Sequence, residues 1–442
     1  AVLLEPIDHI TMNERTNCMS RKVNVAIIGL GPRAETLLAS FNYIPDLEVV
    51  AVCDLSVERI NLITCILAEN GKPAPKVFFD YHEMLKCEEI DAVLVPTSWN
   101  SHLAIATDCM NAGKYVAIEV GGASSLEELW KLVHASERSG KPCMMLENCC
   151  YARNELMVLN MVRQGLFGEL VYCEGGYEHC LLDDHLGKLE TDFRERNYHN
   201  LRRNGELYPT HELGPIAKIL RINRGNRFIS LTSTASKARS AQVYRKKLAE
   251  QGAPVNPTLA FNEGDMVTTV IKCANGETIT LKHSISLPRP YSRNGRVQGT
   301  NGIWLEDTNG IYIAGKSREE ELIDVAGNPY LTHYWDRVED YYDDYDHPIW
   351  REYKDKQFGG HNGIDALAIL AFVDAVRNQT NTPIDVYDVA AWMAVTCLSE
   401  QSIAIGSAPV PFPDFTNGKW VYREPEPKSR WALDEVYEEC FD

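Results

Sequence analysis

The chain has 442 residues, a formal net charge of −18, and 45% hydrophobic and 24% charged residues. Its length predicts two domains, and its composition predicts a soluble globular protein, because no apolar run approaches the roughly 20 residues that a membrane span requires. The acidic balance disfavours a nucleic-acid partner, since phosphate binding needs a basic face.

The thirteen cysteines contain no CxxC pair and no Cys/His spacing typical of a metal site. They predict buried free thiols, no disulfide framework and no metal. Reduced thiols favour a cytoplasmic location. The chain begins at Ala1 rather than Met, so a removed leader, with a periplasmic or secreted location, stays open.

Residues 1–22 are polar and aperiodic, and we expect them to form an N-terminal arm. Residues 23–29, VNVAIIG, have the continuous branched apolar character of a strand buried on both faces. The strand ends in GLGPRA, where Gly29 and Gly31 allow a tight turn and a close approach to a pyrophosphate. A helix would follow, and its N-terminus attracts the anion.

A second strand, LEVVAVCD, ends at Asp54, whose carboxylate would accept hydrogen bonds from the adenosine ribose and repel a 2′-phosphate. This favours NAD over NADP. The strands KVFFD, DAVLVPT, YVAIEV and CMMLEN then alternate with helices, which predicts a Rossmann dinucleotide-binding domain over residues 23–150. The strand ends predict cofactor contacts at Trp99, Asn100, Ser101, His102, Glu119, Val120 and Asn148. For His102, a structural role at a helix start remains the alternative.

Beyond residue 150 the pattern changes to that of an α+β domain, residues 151–442, with a large, mostly antiparallel open sheet. Its strands are predicted within ELVYCEGGYEH, DMVTTVIKC, TITLKHSIS and GIWLEDTNGIYIA. The stretches GIDALAILAFVDAVRN and VYDVAAWMAVTCLSEQSIAIG predict two helices that pack on this sheet. We interpret the acidic run Asp336 to Asp346 as a solvated loop, with a sugar-binding rim as the alternative.

The segment LYPTHELGPIA places Tyr208 and His211 three residues apart. On the first turn of a helix both side chains would share one face, where they could donate, accept or relay a proton for one bound substrate. The alternative is a simple turn into a helix, with Pro209 setting the bend.

With GLGPRA, EVGG, ENCCYAR, LYPTHELGP and RPYSRNGRVQGT, the chain resembles the Gfo/Idh/MocA oxidoreductase superfamily, and within it glycoside hydrolase family 109, the NAD-dependent α-N-acetylgalactosaminidases. The resemblance implies a carbohydrate substrate, bound NAD and a homo-oligomer, by analogy a dimer. It implies NAD contacts at Gly29, Leu30, Gly31, Arg33, Asp54, Trp99, Asn100, Ser101, His102, Glu119, Val120 and Asn148. It implies substrate contacts at Tyr177, Arg196, Tyr208, Pro209, Thr210, His211 and Tyr291. The residues suited to proton transfer are Tyr151, Tyr208 and His211.

The implied reaction is a redox-neutral glycoside hydrolysis. The sugar is transiently oxidised at C3, loses the C2 proton, eliminates the aglycone from C1, adds water and is reduced again at C3. Two other functions stay open: an NAD-dependent sugar or inositol oxidoreductase, and a catalytically silent NAD-binding sugar sensor.

Three residues depart from the related patterns. Val120 follows Glu119 where many superfamily dehydrogenases have a catalytic lysine, which argues against a simple sugar dehydrogenase. Gly121 stands where the galactosaminidases usually have proline, and Glu212 where they usually have glycine. We expect Glu212 to reshape the pocket beside His211 and to affect the sugar specificity.

Overall fold

The computed structural model describes residues 22–190, 195–356 and 361–441. The predicted arm therefore lies outside the described residues, apart from Lys22. The described chain forms two sheets surrounded by helices, with a small separate hairpin.

The first sheet is a six-stranded parallel sheet, as the sequence predicted. Its strands are β1 (Val23–Ile28), β2 (Leu47–Cys53), β3 (Lys76–Phe78), β4 (Ala92–Val95), β5 (Tyr115–Ile118) and β6 (Cys143–Met145). The connecting helices are α1 (Pro32–Phe41), α2 (Val57–Glu69), α3 (Tyr81–Leu85), α4 (Trp99–Asn111) and α5 (Leu126–Ser139). The strand order β3-β2-β1-β4-β5-β6 reverses direction beside β1, where such sheets bind ligands.

The glycine loop after β1 has the geometry that a dinucleotide needs. Gly29 has φ +89°, and a Cβ at this position would stand 2.5 Å from Cγ2 of Thr97. Only glycine satisfies both constraints. Gly31 caps α1, and no atom beyond its chain neighbours lies within 4 Å of where its Cβ would be, so the space at the helix N-terminus is open.

The second sheet has nine strands in the order β16-β13-β12-β11-β7-β10-β9-β8-β17. The strands are β7 (Leu170–Glu178), β8 (Phe228–Ala235), β9 (Val267–Cys273), β10 (Thr278–Ser284), β11 (Arg296–Gly299), β12 (Gly302–Leu305), β13 (Gly310–Ile313), β16 (Asp336–Arg337) and β17 (Val410–Pro411). Every pair is antiparallel except β7 and β10, which confirms the predicted mostly antiparallel sheet. A hairpin of β14 (Glu319–Ile323) and β15 (Pro329–His333) stands apart.

The helices of the second domain hold the site residues against this sheet. They are α6 (Arg153–Arg163), α7 (Glu195–Arg202), α8 (Thr210–Ile219), α9 (Ser240–Glu250), α10 (Tyr342–Tyr345), α11 (Pro348–Tyr353), α12 (Ile364–Asn378) and α13 (Val386–Ala404). A 3₁₀ turn, Asn148–Tyr151, connects β6 to α6. None of the helices in the described ranges is both long and apolar enough to cross a membrane.

The prediction that both late helices pack on the second sheet is wrong for one of them. Helix α13 packs on β8, but also against α5 and β6 of the first domain. Helix α12 packs on α1 and β1 of the first domain. Both helices are buried on almost every side, so their sequence carries no polar face that marks which sheet they cover.

The interpretation of Asp336 to Asp346 as a solvated loop is also wrong. The run contributes the edge strand β16, a 3₁₀ turn and α10. The hydroxyl of Tyr341 donates a hydrogen bond to Asp336, and the buried Asp346 forms an ion pair with Arg153 at 2.6 Å. None of its residues lines the cavity described below; Tyr342 instead packs under Arg153 and donates to Asn154 of α6.

A buried ion cluster holds the C-terminal end of α8. Nζ of Lys218 lies 2.6 Å from Oδ2 of Asp388, at the start of α13. Arg224, whose side chain is fully buried, contacts Asp388 at 2.9 Å, Asp385 at 2.8 Å and Asp434 at 3.0 Å. The cluster thus joins the end of α8 to α13 and to the C-terminal segment.

Candidate active site

A cavity of about 800 Å³ opens where the carboxyl ends of β4, β5 and β6 face the second domain. Parallel α/β sheets bind ligands at this edge, and the volume is ample for a small substrate beside a cofactor. From the first domain it is lined by Arg33, Thr97, Trp99, Glu119, Val120 and Asn148, among others. From the second it is lined by Tyr177, Arg196, Tyr208, His211, Tyr291 and Arg293, among others.

Tyr208 and His211 reach this cavity together. Helix α8 begins at Thr210 with Pro209 as its N-cap residue, so Tyr208 precedes the helix and His211 lies in its first turn. The two rings are nearly perpendicular, with centroids 4.8 Å apart. The prediction that both side chains share the first turn of a helix is therefore wrong for Tyr208, and the bend at Pro209, given as the alternative, brings the phenol and the imidazole to one place.

His211 is held by a buried carboxylate that the sequence interpretation missed. Nδ1 of His211 lies 2.8 Å from Oε1 of Glu147, which is fully buried. Burial by itself would raise the pKa of the Glu147 carboxyl, but the charge and hydrogen bond of His211 hold that pKa below its ordinary value. An ionised carboxylate only accepts, so Nδ1 carries the proton and Nε2 is the basic nitrogen.

Glu147 lies just beyond the carboxyl end of β6, directly before Asn148. The strand-end rule that selected Asn148 applies equally to Glu147. The sequence does not reveal that Glu147 pairs with His211, because the two residues are 64 positions apart.

Aromatic rings pack against the ring of Tyr208. The ring of Tyr177 lies 4.7 Å from that of Tyr208 and 5.9 Å from that of Tyr291, and Trp99 stacks on Tyr208 at 5.7 Å. Tyr291 is half exposed at the mouth, whereas Tyr177 and Tyr208 are buried. This packing fixes the position of the phenol and displaces water from around it.

Arg196, on α7, places its guanidinium 4.3 Å from the ring centre of Tyr208 and 5.1 Å from that of Tyr177. Burial raises the pKa of Tyr208 well above its ordinary value, although the cation of Arg196 acts in the opposite direction. The phenol therefore keeps its proton near neutral pH, which suits a hydrogen-bond donor or general acid rather than a base.

On the cofactor side, Asp54 is tied to the glycine loop. Its Oδ2 accepts a hydrogen bond of 2.6 Å from the backbone N–H of Leu30, and its Oδ1 accepts one of 2.8 Å from Ser56. The carboxylate thus stands beside the glycine loop and the N-terminus of α1, as a ribose-binding acid would. Gly29, Leu30, Gly31 and Asp54 lie outside the cavity itself.

A polar network closes the other side of this region. Arg33 donates to Glu119 at 2.7 Å and, through both terminal nitrogens, to Asp365 at 3.0 Å. Asp365, the second residue of α12, also accepts from Nδ2 of Asn148 at 2.7 Å and contacts Nδ1 of His361 at 2.7 Å. Asp365 and His361 were not predicted, because they lie more than 200 residues after the Rossmann motifs.

The structure brings most, but not all, of the predicted site residues together. Tyr151 is fully buried, and its hydroxyl donates to the carbonyl of Trp431 at 3.0 Å, away from the cavity. His102 is fully buried on α4, and burial lowers its pKa to about 4. Neither geometry favours the predicted role. Asn100 and Ser101, on the first turn of α4, and Pro209 and Thr210, in the turn before and into α8, also lie outside the cavity lining.

Two family profiles divide the chain between them. Residues 23–147 match the oxidoreductase family with an NAD-binding Rossmann fold, and residues 151–422 match the glycosyl hydrolase 109 C-terminal domain. An alpha-N-acetylgalactosaminidase of Tannerella forsythia is 40% identical over 424 residues, which is 90% of this chain and 87% of the relative. The chain belongs to glycosyl hydrolase family 109. A second alpha-N-acetylgalactosaminidase, of Shewanella oneidensis, is 39% identical over 91% of this chain and 87% of its own length.

Solved structures share the fold of this family 109 chain at low sequence identity. An NAD-binding oxidoreductase from Klebsiella pneumoniae superposes with a TM-score of 0.66 at 16% identity, covering 89% of this chain and all of its own. A myo-inositol 2-dehydrogenase from Lactobacillus plantarum has a TM-score of 0.61, also at 16% identity and with the same coverage. The predicted superfamily fold is confirmed.

Gly121 and Glu212, the two residues that depart from the pattern of the galactosaminidases, lie in different places relative to the cavity. Gly121 lies under Trp99, and a Cβ there would stand 2.5 Å from the indole ring. Glu212 is buried outside the cavity lining, with a carboxylate oxygen 4.0 Å from Nη1 of Arg293, and its side chain occupies space left by Gly175. The expected reshaping by Glu212 is therefore indirect, through its contact with Arg293, which lines the cavity.

Glu206, two residues before Tyr208, carries a prediction about stability. It is fully buried, and burial raises its pKa from 4.5 to about 7. Between these values the folded chain binds more protons than the unfolded chain, so stability falls as pH rises, by at most about 3 kcal/mol. Urea unfolding of the parent and of Glu206→Gln at pH 5 and pH 8 tests this. The free energy of unfolding of the variant, relative to that of the parent at the same pH, should be higher at pH 8 than at pH 5. A difference that does not change with pH would contradict this.

Proposed function

We propose that this chain is an NAD-dependent glycosidase that hydrolyses N-acetylgalactosaminides through transient oxidation at C3 of the sugar. The observation that carries the proposal is the convergence of two groups on one cavity. His211, Tyr208 and Arg196 face it from the second domain, and Arg33 and Glu119 face it from the cofactor domain, whose buried Glu147 holds Nδ1 of His211.

The residues present fit a nicotinamide dinucleotide. The open space at Gly31 and the N-terminus of α1 suit the pyrophosphate, and the carboxylate of Asp54 suits the ribose. A 2′-phosphate would be repelled by Asp54, so we propose NAD rather than NADP. When bound, NAD supplies a hydride acceptor and, later, a hydride donor for C3 of the sugar.

His211 acts as the base in this proposal. Its Nε2 takes a proton from the sugar, and the carboxylate of Glu147 stabilises the imidazolium that forms. A ketone at C3 acidifies the C2–H bond, so that proton can leave, and the C1–O bond to the aglycone then breaks.

Tyr208 and Arg196 stabilise the negative charge that develops on an oxygen of the sugar during the reaction. The Tyr208 hydroxyl, protonated at neutral pH, donates a hydrogen bond, and the nearby guanidinium supplies positive charge in a site screened from water. Both groups lie within the aromatic cluster of Tyr177 and Trp99, which holds them in place before the substrate binds.

The substrate class rests on the family relatives named alpha-N-acetylgalactosaminidase. The departure at Glu212 does not alter the wall of the cavity directly, because this residue is buried behind it. We therefore keep N-acetylgalactosaminide as the substrate, in either anomeric form.

A panel of para-nitrophenyl glycosides tests the proposal. We expect release of para-nitrophenol from N-acetylgalactosaminides without lasting absorbance of NADH, because the hydride returns to the sugar. Steady NADH formation from free sugar without aglycone release would show an oxidoreductase instead. No signal in either channel would leave only a sugar-binding role.

The isotope content of the product separates elimination from direct displacement. In deuterated water the elimination route places deuterium at C2 of the released sugar, because the C2 proton exchanges with the base. A product with no deuterium at C2 would contradict the route through C3 oxidation.

A further inference from the structure

The fold brings a metal-ligand group from α8 to two others that neighbour each other in the sequence 64 residues earlier. Glu147 and Cys149 come from the end of β6 and the 3₁₀ turn after it, and His211 comes from the first turn of α8. One carboxylate oxygen, the thiol sulfur and one imidazole nitrogen lie within 4.8 Å of one another. The absence of a Cys/His motif in the sequence therefore does not exclude a site.

The spacing is close to what a tetrahedral ion needs. Bonds of about 2.0–2.3 Å to oxygen, nitrogen and sulfur place tetrahedral ligands about 3.3–3.8 Å apart. Shifts of about 1 Å would close the group around an ion. Glu147 and Cys149 flank a single residue on one turn, and the backbone N–H of Cys149 already donates to Glu147 at 3.2 Å, so both are held near their positions.

The donor set selects the kind of ion. A thiolate, an imidazole and a carboxylate together favour a borderline or soft cation such as Zn²⁺ over Mg²⁺ or Ca²⁺, which prefer oxygen ligands. The charge of an ionised Glu147 and a Cys149 thiolate would balance a divalent ion, and the thiol proton would leave to solvent on binding.

The site has an entrance and an open coordination position. Cys149 and His211 both line the 800 Å³ cavity, so an ion can reach them from solvent. Three protein ligands leave the fourth position of a tetrahedron to water or to a substrate oxygen on the cavity side.

We propose that Glu147, Cys149 and His211 form a Zn²⁺ site at which bound metal switches the enzyme off. Metal binding and catalysis exclude each other, because the ion engages the His211–Glu147 pair that proton transfer requires. Binding itself does not depend on the proposed glycosidase activity, whereas inhibition rests on it.

Binding is tested without any substrate. The 442-residue chain, treated with chelator, is titrated with Zn²⁺ by calorimetry, and with Cd²⁺ by following the ultraviolet charge-transfer band of a thiolate–cadmium bond. We expect one ion per chain and a thiolate band. Cys149→Ser should lose the band and weaken Zn²⁺ binding by roughly tenfold or more.

The neighbouring cysteine supplies a matched control. Cys150 is also buried but is not one of the three ligand groups, so Cys150→Ser should keep the band and the affinity. Circular dichroism and NAD binding establish that both variants are folded. Absence of stoichiometric binding to the parent, or a band that persists in Cys149→Ser, would overturn the site.

Inhibition is measured separately on para-nitrophenyl glycosides. Zn²⁺ should abolish aglycone release by the parent and by Cys150→Ser, and chelator should restore it. Cys149→Ser should retain its own metal-free rate at the same Zn²⁺ concentration. Binding without inhibition of an active glycosidase would overturn the switch but keep the site. Binding by a protein with no glycosidase activity would keep the site and overturn the proposed function together with the switch that rests on it.

Discussion

His211→Ala and Tyr208→Phe should each lower kcat/KM for an N-acetylgalactosaminide by about 10²–10⁴-fold, the usual contribution of one general acid or base. The first removes the basic nitrogen that Glu147 orients, and the second removes the buried hydroxyl beside Arg196. The content of bound NAD should not change, because the Rossmann residues are untouched. Steady-state kinetics and cofactor release on denaturation measure both quantities.

Tyr151→Phe is the matched control for Tyr208→Phe. It deletes a buried tyrosine hydroxyl, but one that donates to the carbonyl of Trp431 rather than facing the cavity. We expect a loss of about 1 kcal/mol in the free energy of unfolding and a turnover close to that of the parent. Equal losses of turnover in the two phenylalanine variants would remove the distinction that the geometry draws between them.

Asp388→Ala should lower the free energy of unfolding by about 3–5 kcal/mol, because it removes the carboxylate that two buried cations share and leaves their positive charge only partly compensated. The carboxylate contacts both Lys218 and Arg224 in the ion cluster at the end of α8. Urea unfolding measures the loss. Without added NAD, the variant should also lose its secondary structure at a lower temperature than the parent.

Glu127→Ala is the comparison for this variant. Glu127 also forms an ion pair, with Lys131 at 2.7 Å, but both side chains are largely exposed. Exposed pairs contribute little, so the free energy of unfolding should stay that of the parent within error. If Asp388→Ala behaved in the same way, the buried cluster would not stabilise the fold.

Local patterns in the sequence were sufficient for the first domain. The apolar runs of β1, β4 and β5 and the glycine loop are each contained within a few residues, and Asp54 comes one helix and one strand after the glycine loop. Each of these features is set by the chain near it, so the Rossmann sheet was predicted correctly.

The parts of the site that the sequence did not show depend on contacts between distant segments. Glu147 meets His211 across 64 residues, and Asp365 meets Asn148 across 217. Conversely, Tyr151 stands beside site residues in the sequence, but the 3₁₀ turn directs it towards Trp431. Proximity in the sequence therefore led to one wrong prediction, Tyr151 as a site residue, and gave no sign of two carboxylates, Glu147 and Asp365.

The position of α12 has a consequence for how the chain is made. This helix belongs to the second domain by sequence, yet it covers α1 and β1 and supplies the carboxylate that holds Arg33. The first domain cannot be cut out as an independent module with its surface complete. During synthesis on the ribosome, the dinucleotide-binding half therefore emerges well before residues 364–378, which cover its first helix.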